Sequence, residues 1–332
     1  NTIWDHTFER DYQDILLLQS DLSQAVVSGI KIAVTPEEKE LLASVRRQVN
    51  PEAYDLCLKG INLWLSQPSG SVIDHHMKII DIFTQAISSD PNLALAYAWL
   101  CQCYWDLIGN GLISEKEAFP KAQAAAAKAL ELDNTLAESH QQMGNIKFGL
   151  WDFSGAEQEY KKAQELAPGN LIIQFFFPVF LGAIGRFDEA ITRIKRLEKE
   201  PMLPGNLSAN LTKVYLWAGR YDEGLERAKR AAISYPGLYN NTLLALAYSL
   251  KGMHAEALSI MDKLMASPGA QDDVSILDEY AWILARSGRR EDALQTMEKA
   301  NAVRAKNNID SSYSMAGIYA ALGDKDLAFK YL

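Results

Sequence analysis

A period of about 34 residues runs through most of this 332-residue chain, and it restricts the chain to folds built by stacking one small unit. The window Ala137–Asn170 displays that unit. Counted as positions 1 to 34, it has small side chains at Gly144, Ala156 and Ala163 (8, 20 and 27), an aromatic at Tyr160 (24) and a proline at Pro168 (32). A turn element, Gly-x-aromatic-x-x-Ala/Gly or a close variant, recurs at Gly185, Gly219, Gly252, Gly288 and Gly323, at intervals of 34, 33, 36 and 35 residues. Two helices joined by a short turn explain the spacing. The small residues sit where the helices approach each other or the next unit, and a larger side chain there would force the axes apart. The aromatic fills the space between neighbouring units. The proline is expected in the first turn of the following helix, where its missing N–H has no intrahelical partner.

This pattern resembles the tetratricopeptide repeat, whose consensus spaces its small, aromatic and proline positions in the same way. The resemblance implies an all-α, right-handed superhelical solenoid of about eight helix-turn-helix units. Their expected bounds are 51–91, 94–134, 137–170, 171–204, 205–237, 238–273, 274–308 and a truncated 309–332, with insertions at 66–75 and 109–119. Asn50 is placed to cap the first helix, with Pro51 at its first position. The chain begins at Asn1 rather than Met and stops inside a second helix at Leu332, so a longer parent protein is expected. The apolar last unit offers a face for self-association.

Residues 1–50 fall outside the period and read as a linker and helical segment. Ile15, Leu18, Leu22, Val26 and Ile30 share one face at helical spacing, and Thr35, Pro36 and Glu38 form a capping box. The string IWDHTFERDYQDILLLQSDLSQAV, followed by NPEAYDLCLKG, is similar to a junction found in bacterial multidomain regulators, where a TolB-like α/β domain runs into tetratricopeptide repeats. That resemblance covers residues 3–60. It implies an effector domain upstream, of winged-helix DNA-binding, kinase or adenylate-cyclase type, none of whose residues lie in this chain.

The residues that carry chemistry elsewhere are missing from their usual patterns. There is no H-E-x-x-H, no G-x-x-x-x-G-K-[ST], no G-x-G-x-x-G and no G-x-S-x-G, so neither catalysis nor a cofactor or metal is expected. Cys57, Cys101 and Cys103 lack framework spacing and read as small buried residues; Cys101 and Cys103, two apart on a helix, face different ways. His75 and His76 read as solvated residues at an insertion and helix start. A net charge of −9 gives no general attraction to nucleic acid. No apolar run reaches the ~18 residues that a membrane span needs. With free cysteines and an acidic surface, the expected compartment is the cytoplasm.

What remains is a surface. The family resemblance implies that first helices line a concave groove. The residues this assigns to the groove are Gln102 and Trp105; Gln141, Asn145 and Phe148; Asn206, Lys213 and Trp217; Tyr239; Asp278, Trp282 and Arg286; and Tyr313. Tryptophan, tyrosine and arginine at such positions suit a binding face. The family's chaperone-tail clamp needs Lys and Asn on successive first helices, and Ala98, Gln102, Gln142, Ile172 and Phe176 stand there instead. The expected function is a non-catalytic scaffold that binds a protein, a peptide or a second copy of itself, as the sensing or interaction arm of a bacterial regulator. A small-molecule sensor and a free-standing adaptor are the alternatives.

Overall fold

The computed structural model describes residues 50–66, 72–199, 205–267, 269–307, 309 and 313–332, with 205–209 as backbone only. The helix and capping box expected before residue 50 lie outside the described residues, as does most of the junction-like string. Among the described residues there are sixteen α-helices and no strand. They pair in chain order: α1 (Pro51–Leu65) with α2 (Val72–Ser89), α3 (Ala94–Gly109) with α4 (Glu115–Leu132), α5 (Ala137–Gly149) with α6 (Phe153–Leu166), and α7 (Leu171–Ala183) with α8 (Phe187–Leu197). The series continues with α9 (Gly205–Trp217) and α10 (Tyr221–Ser234), α11 (Leu238–Leu250) and α12 (His254–Met265), α13 (Val274–Arg286) and α14 (Arg290–Asn307), and α15 (Tyr313–Ala321) and α16 (Lys325–Lys330). A short 3-10 turn, Ala270–Asp272, precedes α13.

Within a pair, a small residue on one helix meets a ring on the other. A Cβ added to Gly60 would lie 2.7 Å from the Phe83 ring, and one added to Gly144 would lie 3.2 Å from the Tyr160 ring. A side chain at Gly60 would force the Phe83 ring to shift, and one at Gly144 would crowd the Tyr160 ring, so glycine is favoured there by space, not by backbone angle. Between units, Tyr160 is buried against Phe180 and Phe177 of the next pair, with ring centroids 5.0 and 6.2 Å away. Each such ring contributes about 0.5–1.5 kcal/mol beyond its buried area. The odd-numbered helices also touch one another in succession, from α1 and α3 to α13 and α15, while even-numbered helices make no comparable contact among themselves. The odd helices thus form one continuous inner layer and the even helices an outer one. This is the all-α solenoid that the repeat implied.

The helix ends follow from their sequences. Asn50 accepts from the N–H groups of Glu52 and Ala53, with Pro51 in the first turn, as expected. The prolines between units are placed differently from the expectation. Pro168 lies in the turn ahead of α7, two residues before its cap Asn170, and Pro91 lies likewise ahead of α3. Asn170 takes the capping role with its side chain, so the proline serves to stop the preceding helix.

The hairpin turns share one device. Gly185, Gly219, Gly252, Gly288 and Gly323 all have φ between 71° and 81°. The next N–H reaches back five residues: Arg186 to the Leu181 carbonyl at 2.8 Å, and Arg220 to that of Tyr215 at 2.9 Å. This closes each first helix through a left-handed residue. In the third pair the same bond, Asp152 to Lys147 at 2.9 Å, is made with Trp151 in the glycine's place, at φ 63° and 80% exposed. A side chain in that conformation costs about 1 kcal/mol or more. Trp151→Gly is therefore expected to raise stability by about 1 kcal/mol, read as a higher urea midpoint at unchanged slope.

Candidate functional site

The inner layer curls until distant units meet. The Ser275 hydroxyl at the start of α13 donates to the Asn110 carbonyl at the end of α3, over 2.6 Å and 165 residues of sequence. Behind this contact lies a chamber of about 260 Å³. One wall comes from the first two pairs, with Trp64 of α1, His75 and His76 of α2 and Asp106 of α3. The other comes from α9, α11 and α13, with Lys213, Tyr239, Leu246, Asp273 and Glu279. A second cavity of about 180 Å³ shares Trp64, Asp106 and Asn210 with the first and is lined mainly by rings, among them Trp105, Phe148, Phe176 and Phe180.

Asp106 stands at the junction of the two. Its carboxylate accepts from Trp64 Nε1 at 2.6 Å and from Gln102 Nε2 at 2.8 Å, and His76 Nε2 lies 3.8 Å away. Burial opposes a charge on His76, but hydrogen bonding and attraction to Asp106 outweigh it and hold the imidazole above its ordinary value. His75, hydrogen-bonded to the Leu63 carbonyl at 3.1 Å, is driven the other way by burial and by His76. The two histidines are thus part of the chamber wall and not simply solvated; α2 starts at Val72 and carries both inside its first turns.

Across the chamber, Lys213 Nζ lies 5.1 Å from the centre of the Tyr239 ring, and the Tyr239 hydroxyl donates to Asn210. Tyr239 holds the Lys213 ammonium above its usual range, against the effect of burial, with help from Glu279. Burial pushes the Glu279 carboxyl up, with Lys213 opposing it. It also pushes up Asp273, whose Oδ1 accepts from the N–H groups of Ser275 and Ile276 and so caps α13.

Of the residues assigned to the groove from sequence, Lys213 and Tyr239 line the chamber, and Trp105, Asn145 and Phe148 line the aromatic cavity. Gln102, Gln141 and Asn145 are at most 3% exposed. They form one network: Gln102 Oε1 accepts from Gln142 at 3.0 Å, Gln141 at 3.3 Å and Asn145 at 3.5 Å, and the Tyr160 hydroxyl donates to Asn145 Oδ1 at 2.5 Å. These amides hold the wall in shape. Asp278 is turned to Arg304 of its own second helix. Trp282 packs in the core between neighbouring units, with Arg286 stacked 4.8 Å above its ring. Trp217 and Tyr313 are exposed and line neither cavity, and Asn206 falls where the backbone alone is described.

Sequence reasoning missed Trp64, Asp106, Asp273 and Glu279. Trp64 was within reach, since it stands four residues after the small Gly60 as Trp105 stands four after the small Cys101. The three cysteines are free and buried; Cys101 and Cys103 lie in separate core clusters, as their spacing implied. Burial pushes the Cys57 thiol up to about 12 and the other two up as well, so none is a nucleophile near neutral pH. No helix among the described residues is long and apolar enough to cross a membrane.

No family model matches the chain. The transcriptional regulator HilA of Salmonella typhimurium is 26% identical over 191 residues, which is 56% of this chain and 34% of that protein. The chain thus spans about a third of the length of the curated relatives it matches first. Human IFIT1, solved as a dimer with m7Gppp-AAAA, superposes with a TM-score of 0.64 over 95% of this chain and 83% of its own, at 14% identity, a likeness of fold alone. A tetratricopeptide repeat protein of Parabacteroides merdae covers 83% of this chain and 99% of its own, with a TM-score of 0.49 and 14% identity.

Two outcomes test the site's construction. Tyr160→Phe leaves the buried Asn145 Oδ1 without its donor and is expected to cost about 1–3 kcal/mol in urea denaturation. His76→Gln is expected to lower Tm chiefly in acid. With the folded pKa above the ordinary 6.5, the attraction to Asp106 is complete below that value and is lost as pH rises through the raised one. The Tm gap between the two proteins should be widest below pH 6.5 and narrow as pH rises above it through the raised value.

Proposed function

We propose that this chain is a non-catalytic scaffold whose inner face binds a short extended peptide segment, entering at the chamber and running along the odd-numbered helices. The observation that carries this reading is the chamber itself: distant units are brought together to wall a cavity with hydrogen-bonding groups, and a ring-lined cavity adjoins it. Ligand sites have that composition, an apolar body with a few placed polar groups. The solenoid has the fold of proteins that serve as interaction scaffolds.

The shared sequence with HilA supports a place inside a multidomain bacterial regulator, with the solenoid as the arm that senses a partner. Nucleic acid is a poor occupant. Among the described residues the chamber holds three carboxylates, Asp106, Asp273 and Glu279, against the single lysine Lys213, and a polyanion would meet net repulsion. A small molecule is the second reading, favoured by the Ser275–Asn110 contact, which encloses the space.

Peptides selected by phage display on residues 50–332 test the scaffold reading. Leu246→Trp, which fills the chamber, should weaken their binding at least tenfold, while Ile233→Ala, at an exposed site that lines no cavity, should leave it unchanged. Equal binding by all three proteins would remove the chamber from the interaction. The complete reading frame tests the regulator role: an output domain joined to the solenoid is expected, and a frame without one overturns that part.

A further inference from the structure

The chamber's charges come from opposite sides of the molecule. Asp106 projects from α3, and Asp273 and Glu279 belong to the start of α13, five pairs further along. Among the described residues that line it Lys213 is the one lysine or arginine, and His76 lies 3.8 Å from Asp106, so three carboxylates face one fixed cation and one titratable imidazole at that distance. Asp106 is already aimed by two donors, and its Oδ2 takes the Trp64 indole N–H, which places an aromatic edge beside the charge. Tyr239 flanks the other side. The ring-lined cavity opens from the same point, through Trp64, Asp106 and Asn210. Acid and aromatic groups arranged in this way are complementary to a cation with an apolar neighbour, because a guanidinium or ammonium gains both charge-assisted hydrogen bonds and contact with ring faces.

We propose that the chamber receives the arginine or lysine side chain of a peptide segment, and that the adjoining ring-lined cavity receives an aromatic or aliphatic side chain next to it in sequence. This rests on the chamber being the ligand site, and it adds the chemistry of the ligand. Glu279 and Asp106 hold the cation from the two walls. Trp105, Phe148 and Phe176 take the apolar neighbour. Lys213, drawn to Glu279 and Tyr239 while the chamber is empty of ligand, yields part of that partnership to the incoming charge. Burial raises the carboxyls of Asp273 and Glu279, which a second cation beside them would reverse.

The probes are acetylated, amidated hexapeptides of sequence Gly-Gly-Phe-Arg-Gly-Gly and Gly-Gly-Phe-Glu-Gly-Gly, titrated into the full chain and followed by the indole N–H resonances of Trp64 and Trp105, assigned through Trp→Phe variants. The arginine peptide is expected to shift both resonances and to bind at least tenfold more tightly than the glutamate peptide. Glu279→Gln, at unchanged Tm, should reduce that preference about tenfold, and raising salt should weaken the arginine peptide alone. Equal binding of the two peptides, or a preference for glutamate through Lys213, overturns the cation assignment. If displayed peptides without a basic residue bind and are blocked by Leu246→Trp, the scaffold reading stands and this inference falls. If no peptide of any sequence perturbs Trp64, both fall.

Discussion

The distance between two helix axes governs everything else in this molecule. Where Gly60 faces Phe83 and Gly144 faces Tyr160, one partner has no side chain and the other has a large flat one, so a helix pair closes to van der Waals contact. Repeating that approach makes each pair nearly the same shape. Nearly identical wedges stacked in one direction must curve, and the curvature brings α13 back to α3. The chamber is thus a product of packing inside the hairpins, most of it made by residues that no ligand would touch.

Much of this was legible in the chain. The five glycines that return at a near-constant interval mark the left-handed hairpin turns, and their φ angles match that role. Tyr160 and the small residues around it announced the contact between units. What was not legible was the third dimension of the array. Position within a unit shows which face of a helix a residue occupies; it does not show which distant unit that face will meet. Glu279 sits one position beyond the groove set of its own unit and reaches the chamber because curling turns α13 toward α1. His75 and His76 looked solvated because they follow a stretch rich in Gly, Pro and Ser at a helix start, yet that helix, which begins at Val72, lays both against the chamber.

The polar amides show a different limit of sequence reasoning. Gln102, Gln141 and Asn145 occupy positions that a pattern assigns to a binding face, and polarity at such positions invites that assignment. Their side chains find one another across two adjacent first helices and bond to Tyr160 from behind. Buried amides of this kind hold neighbouring helices in one fixed offset, since sliding either helix would strand several donors at once. Chemistry at a groove position therefore divides into residues that form the wall and residues that face the space, and only the fold separates them.

An open stack of repeats behaves as a chain of near neighbours, in which one end can fray while the other stays folded. The bond from Ser275 to Asn110 changes that arithmetic, because it joins units that are far apart along the stack. Loss of any intermediate pair would part the two walls. Occupancy of the chamber is therefore thermodynamically linked to the folding of units that never contact the occupant, and a bound ligand would make cooperative what the repeats alone leave modular.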